Sequence, residues 1–334
     1  MTNSNLSWKK AIFKKTQDQR PHTFYLEITN KCNMNCPMCI TDHHKTSNFE
    51  SRLNASQIKN KLLIHGKKLN INRLVITGGE PTLVEHLIET INNAVDLDYT
   101  VFLASNLLKV NLAIFKKIFF LLDDPKHTIQ SSFDSIIKDE MNFIRGGRVY
   151  DQIVENYQTI LDLKNEMSAK TTFCSSLVLQ EENIDSVHNT IDYLLSKKGL
   201  DRVVITARHD YSNITIKNYK KPPFPKYSPS FKNKLLKTVK QLYDRSEQDQ
   251  RIEMVGRGIE NWINFYTDPL KIEDICASSA QLFVDAFGNY RGCLHTKPCG
   301  NLLTTDPESL LKSKSYKDFL RFNEICKICI HGCS

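Results

Sequence analysis

Three cysteines, Cys32, Cys36 and Cys39, fall in the run Thr29-Asn30-Lys31-Cys32-Asn33-Met34-Asn35-Cys36-Pro37-Met38-Cys39 with the spacing C-x3-C-x2-C. Thiolates four and three residues apart on one loop can wrap three corners of an iron–sulfur cubane, whereas tetrahedral zinc suits two pairs. One iron would then lack a protein ligand and stay open to a small molecule. By itself the triplet is also compatible with zinc, or with small residues filling a core. A second group, Cys276, Cys293, Cys299, Cys326, Cys329 and Cys333, crowds the last fifth of the chain, and Cys174 stands alone. Met1 to Arg20 is polar and lysine-rich, without the apolar core or cleavage site of a secretory signal, which implies a cytoplasmic protein. Disulfides are rare in that reducing compartment, so dense cysteine points to metal ligation.

The 334 residues, 40% hydrophobic and 25% charged, are those of an ordinary globular protein large enough for one sizeable domain and a smaller attachment. No apolar stretch approaches the eighteen or so residues of a membrane span. The formal net charge of +8 raises the question of a nucleic-acid partner. Two thiolate-held clusters would lower it to about +5. Runs such as Lys217-Asn218-Tyr219-Lys220-Lys221 read as solvated surface, and no basic strand interleaved with aromatics suggests base stacking. Nucleic acid is not expected as a partner.

Positioning the cysteine loop is the task of the elements around it. From residue 22 to 208, β-rich runs alternate with amphipathic helix-length stretches, the pattern of βα units and a parallel sheet. Six strands are expected, at 22–29, 73–77, 100–104, 127–132, 171–179 and 202–206. Helices are expected at 55–69, 82–95, 109–122, 149–168 and 183–197, the last capped by Asn183. The cysteine loop follows the first strand, Gly78-Gly79-Glu80-Pro81 the second, and Ser105-Asn106 the third, while Ser132-Phe133-Asp134-Ser135 closes the fourth. Polar loops at the carboxyl ends of successive parallel strands build barrel active sites. The expected fold is therefore α/β, a partial (β/α)6 TIM-like barrel with a small cysteine-rich C-terminal domain. Its expected divisions are an N-terminal extension at 1–21, the partial barrel at 22–208, a proline-marked linker with a bridging helix at 209–275, and the cysteine-rich domain at 276–334. In the last, a hairpin signal flanks Phe287-Gly288-Asn289.

The cysteine triplet in its strand–loop context, together with Gly78-Gly79-Glu80-Pro81, resembles the radical S-adenosylmethionine (radical SAM) enzymes over residues 22 to about 208. The resemblance implies that Cys32, Cys36 and Cys39 hold a 4Fe–4S cluster whose open iron chelates S-adenosylmethionine. It further implies that an electron from the cluster cleaves a carbon–sulfur bond, and that the resulting 5′-deoxyadenosyl radical removes a hydrogen atom from the substrate. Gly78, Gly79 and Glu80 match the family's glycine motif beside the methionine amine. Ser105, Asn106, Ser132 and Asp134 sit where members place polar contacts to the cofactor, and ordinary turn chemistry is the competing reading for these four. Many members carry an aromatic residue just before the third cysteine. Here Met38 takes that place, and a thioether can still pack on adenine. Arg145 is read as a surface ion-pair partner rather than a contact to the cofactor's carboxylate. His43 and His44 read as pocket rim rather than metal ligands. Trp8, Ile12 and Phe13 read as a short helix packed on the barrel rather than a membrane-skimming one.

Cys276, Gly288 and Cys293 match the opening C-x9-15-G-x4-C of the SPASM and twitch extensions that hold auxiliary clusters in this family. The resemblance implies one auxiliary iron–sulfur cluster on Cys276, Cys293, Cys326 and Cys329, with Cys299 and Cys333 as alternates; a structural zinc site uses the same ligands. Cys174, mid-strand, is a candidate hydrogen-atom donor to a substrate radical, against the commoner reading as core filler. The implied function is maturation of a ribosomally made peptide or protein. The alternatives are a radical dehydrogenase or epimerase acting on a sugar or antibiotic precursor, and a non-catalytic metal-binding or electron-carrier protein. A reductant such as flavodoxin or ferredoxin is the implied electron donor.

Overall fold

The computed structural model describes residues 21–39, 53–208, 228–256, 258–268, 271–272, 280–293 and 296–325. The six expected strands are present within a residue or two at each end: β1 Thr23–Thr29, β2 Arg73–Gly78, β3 Thr100–Ser105, β4 Thr128–Ser132, β5 Thr172–Leu179 and β6 Arg202–Ala207. They lie side by side in sequence order and every neighbouring pair is parallel. A seventh parallel strand, β7 Ile252–Met254, pairs with β6 inside the segment read as linker. Three residues are too few to show a period-two pattern, so its sequence carried no strand signal.

On the far side of β1, the strand β8 Gln281–Val284 pairs with it in parallel, and β9 Asn289–Arg291 and β10 Gly300–Asn301 follow antiparallel. The C-terminal hairpin thus extends the main sheet. The strand order runs β10-β9-β8-β1-β2-β3-β4-β5-β6-β7, an open sheet with β10 and β7 as its edges.

Strand alternation divides the sheet into two faces. Phe24, Leu26 and Ile28 of β1, Leu74 and Ile76 of β2, Val101 and Leu103 of β3, and Phe173 and Leu177 of β5 are wholly buried in the core. The helices covering this face are α1, continuous from Ala55 to Lys68 with a π-helical stretch Ile58–Leu63, then α2 Leu87–Asp96, α3 Leu112–Leu121, α4 Lys138–Arg145, α5 Tyr150–Glu166 and α6 Val187–Leu195. Of the intervening positions, Val75, Cys174 and Ser176 are buried, while Tyr25, Glu27, Thr77, Phe102, Gln130, Ser132 and Arg202 are only partly covered. They form an accessible inner face.

Asn183 does not cap α6. It is fully buried, donates its side-chain amide to the carbonyls of Asp134 (3.0 Å) and Val178 (2.9 Å), and accepts from the Gln180 amide. It ties the end of β5 to the end of β4, and α6 starts four residues later. Beyond the barrel, α7 Pro229–Gln248 begins with Ser228 accepting from the Phe231 amide, with proline at the first helical position, and α8 Gly258–Thr267 follows.

Candidate metal and cofactor site

The cysteine loop leaves the carboxyl end of β1 and is held at three points by glycines from other elements. Gly79 donates its amide to the Thr29 carbonyl (2.7 Å) and Glu80 to the Lys31 carbonyl (2.8 Å). A Cβ on Gly78 would overlap the Thr29 carbonyl oxygen, and one on Gly79 the Lys31 carbonyl oxygen. Gly78 also sits at φ +138°, a region side-chain-bearing residues avoid. The third hold is Gly146, which ends α4 at φ +73°; a Cβ there would overlap the Asn35 carbonyl oxygen, next to Cys36. Met34 plugs the loop into the core below, and the Cys39 amide donates to the Cys36 carbonyl at 3.0 Å.

Side chains complete the frame. Glu80 is buried and its carboxylate is fully engaged: one oxygen accepts from the Thr82 amide (3.1 Å), the Thr82 hydroxyl (2.7 Å) and the Ser105 hydroxyl (2.9 Å), the other from the Asn106 amide (2.7 Å). Burial pushes the Glu80 carboxyl up, and these donors pull against it. Glu80 and Ser105 therefore lock the loop after β2 to the end of β3. Asn106, so placed, donates its side-chain amide to Asn33 Oδ1 (2.8 Å) and to Cys32 Sγ (3.8 Å).

On the other side of the loop, Arg145 is not the surface residue the sequence suggested. Its side chain is about nine-tenths buried, forms an ion pair with the fully buried Asp134, and hydrogen-bonds Cys36. α4 lies between the helices expected at 109–122 and 149–168, and its last residue is what reaches the loop. Burial works against the guanidinium charge, but Asp134 and Cys36 outweigh it and hold the pKa up. Asp134 also accepts from the Val178 amide at 2.8 Å. Ser132 lies on the inner face at the end of β4, and Met38 is half-buried in the loop.

The three thiols are not in disulfides; Cys32 and Cys36 are half-buried and Cys39 is exposed. Burial first, then the charges of Glu80, Cys36 and Cys39, push the Cys32 thiol up to about 11. Burial likewise raises Cys36, opposed by Arg145. The thiols thus sense one another, and a metal that binds them must displace protons. Among the described residues no three Cys, His, Asp or Glu side chains are gathered about one point. The donor set, its arginine and its close-packed glycine frame fit a cluster held at three corners.

A family model described as the radical SAM superfamily matches residues 26–194, half of the chain and all of this frame. The chain belongs to the radical SAM superfamily. Enzymes of this superfamily use a 4Fe–4S cluster and S-adenosylmethionine. Among curated proteins, this radical SAM chain is similar to a probable GTP 3′,8-cyclase of Thermoplasma volcanium, 21% identical over 274 residues covering 80% of this chain and 78% of the relative. In fold it is similar to Streptococcus suis SuiB bound to the precursor peptide SuiA (TM-score 0.68, 14% identity, 98% of this chain and 76% of that one). It is also similar in fold to anSMEcpe with bound AdoMet and a peptide (TM-score 0.64, 14% identity, 93% of this chain and 84% of that one). Among the described residues no helix is long and apolar enough to cross a membrane.

Away from the loop, the structure places Cys174 on the inner face of β5, 2% exposed, in register with Gln130 of β4 and Arg202 of β6. Its thiol donates to Gln130 Oε1 at 3.8 Å, and burial pushes its pKa up to about 12. In the C-terminal region, Cys293 and Cys299 are half-buried around the hairpin. The Cys299 amide donates to the Tyr290 carbonyl (2.8 Å), and the Cys293 amide to the Thr296 hydroxyl (3.3 Å). Cys276, Cys326, Cys329 and Cys333, like His43, His44, Trp8, Ile12 and Phe13, lie outside the described residues.

Proposed function

We propose that this radical SAM enzyme matures a ribosomally made peptide or protein laid across the inner face of its open sheet. The observation that carries the reading is the cysteine loop itself. Gly78, Gly79 and Gly146 fix its backbone while Asn106 and Arg145 reach Cys32 and Cys36 from opposite sides, at the carboxyl edge of a parallel sheet. Cys32, Cys36 and Cys39 would hold the cluster, and S-adenosylmethionine would lie against Met38, the Gly78–Glu80 turn, Asn106 and Ser132. When bound, the two supply reductive carbon–sulfur cleavage and hydrogen-atom abstraction. The chain's own part is positional. Glu80 and Ser105 hold the turn that carries the cofactor side, Asp134 keeps Arg145 on Cys36, and the helix-covered outer face keeps the sheet rigid.

Peptide as substrate is supported by fold likeness along nearly the whole chain, C-terminal hairpin included, to two structures that hold peptides. A small-molecule substrate is the second reading, favoured by the alignment with a GTP 3′,8-cyclase over 80% of the chain. We further assign one auxiliary iron–sulfur cluster to Cys276, Cys293, Cys326 and Cys329, with Cys299 and Cys333 as alternates, and a flavodoxin- or ferredoxin-type electron donor.

The test is anaerobic reconstitution followed by reduction with S-adenosylmethionine present. The wild-type protein should release 5′-deoxyadenosine, and Cys36→Ala should not; release by the variant contradicts the ligand assignment. Mass shifts in candidate precursor peptides support the first substrate reading, whereas a new product from GTP or another nucleotide overturns it. Cys293→Ala should keep the first cluster's cofactor cleavage but lose product formation.

A further inference from the structure

The inner face of β1 carries one charged residue, Glu27. It pairs in register with Thr77, whose next residue is Gly78, and it stands two residues before Thr29, on which Gly78 and Gly79 close. It therefore lies one step beneath the turn that frames the cysteine loop. Along the other edge, Leu26 pairs with Val284, which brings Glu27 beside Asp285 at the end of β8.

The neighbours of Glu27 are already committed. One oxygen of Asp285 accepts from the amides of Phe287 (3.0 Å) and Asn289 (2.9 Å), the other from the Asn289 side chain (3.0 Å) and Arg291 (3.4 Å). Arg291 spends another nitrogen on the Thr296 carbonyl at 2.7 Å. Glu27 feels both of these charges but takes a hydrogen bond from neither, nor from any other described residue. Burial and then Asp285 push its carboxyl up to about 7, with Arg291 opposing. A carboxylate turned into an accessible interior without a donor is costly to the empty protein, and such groups cluster at functional sites. With Glu27 ionised, two carboxylates against one guanidinium leave the spot a net charge of about −1, which disfavours an anionic partner and suits a cation.

We propose that Glu27 is a substrate-contacting residue that receives a cationic nitrogen of the substrate, ammonium or guanidinium, on the inner face beneath the cysteine loop. This subsite rests on the enzyme reading given above, since it matters only if substrate lies on that face. The same nitrogen could come from a basic peptide side chain or from an amino sugar, and separate probes tell these apart.

The experiment is calorimetric binding to the full-length reconstituted protein saturated with S-adenosylmethionine, using two matched pairs. One pair is Nα-acetyl-lysine methylamide and its norleucine counterpart; the other is glucosamine and glucose. The wild-type protein should bind the amine of one pair about tenfold more tightly than its uncharged partner, the ordinary worth of a charge-assisted hydrogen bond. Preference in the first pair indicates a peptide side chain, and preference in the second an amino sugar. Glu27→Gln should bring the ratio to within about twofold, and Glu27→Asp should keep part of it. No preference in either pair, or a preference untouched by Glu27→Gln, overturns the subsite. Release of 5′-deoxyadenosine by the same wild-type preparation is measured separately. Its absence counts against the enzyme reading, whereas cleavage retained without amine preference sinks Glu27 alone.

Discussion

The two faces of the sheet share every backbone hydrogen bond and differ in what their side chains meet. On the outer face Phe24, Leu26, Leu103, Ile129 and Phe173 are wholly buried beneath the helices. On the inner face, one residue away along the same strands, Glu27, Arg73, Phe102, Gln130 and Arg202 remain partly accessible, and Arg73 lies over the Phe102 ring at 5.7 Å. One face supplies the folding energy, and the other keeps polar groups available to a ligand at some cost to stability.

Equal-sized truncations on the two faces test this division most directly. Phe173 packs its ring 6.0 Å from Tyr157 of α5, with no exposed surface. Phe173→Ala should cost about 3–5 kcal/mol in denaturant unfolding, and Phe102→Ala less than half of that. Equal losses would mean that the inner face is packed as a core and not kept open for a ligand.

The next effect is at the cysteine loop. Gly146→Ala forces a side chain into the left-handed region and into the Asn35 carbonyl, so either α4 or the loop must shift. A cost of about 2–3 kcal/mol is expected, with iron content after reconstitution falling well below that of the wild-type protein. The variant Gly147→Ala, where a Cβ meets only the Val149 side chain at 3.7 Å, should load iron normally. Full loading in both variants would remove α4 from the frame of the loop.

Part of this frame is legible in the amino-acid sequence and part is not. The strands are legible because each is a short β-rich run set between helix-length amphipathic stretches, and the places of Cys32, Gly78, Glu80 and Asn106 after successive strands put them at one edge of the sheet. Arg145 was misread because the eight residues of α4 carry mixed charge, and nothing local says that Gly146 turns its end onto Asn35. Glu27 passed as an ordinary strand residue. The only local sign was one acid in the otherwise apolar and hydroxylated run Thr23-Phe24-Tyr25-Leu26-Glu27-Ile28-Thr29. β7 and the pairing of β8 with β1 are long-range facts that no window of sequence contains.

Glu27 itself gives the third effect, with opposite sign. Its carboxyl is raised above the unfolded value, chiefly by burial and by Asp285 and less Arg291. The stability linked to it is therefore fully present below the ordinary glutamate range and is lost as pH rises through about 7. Glu27→Gln cannot ionise, so relative to wild type it should gain on the order of 2 kcal/mol between pH 5 and pH 8, after allowing for partial solvent access. Denaturant unfolding of the two proteins at both pH values reads this out, and parallel curves would show that Glu27 is solvated after all.

The smallest effect concerns Cys174, which belongs to the inner face by alternation but to the core by burial. Its thiol makes one long bond to Gln130, and truncation to alanine removes little volume. Cys174→Ala should cost about 1 kcal/mol and leave cofactor cleavage intact. With its pKa pushed to about 12 and 2% of its surface exposed, Cys174 should also react with iodoacetamide far more slowly than the exposed Cys39 in the reduced, iron-free protein. A hydrogen-atom donor must meet the substrate, so substrate-dependent protection of Cys174 from alkylation would argue for that role. Alkylation as fast as that of Cys39 would instead mean that the floor of the inner face is open, and the contrast between burial and accessibility along β5 would fail.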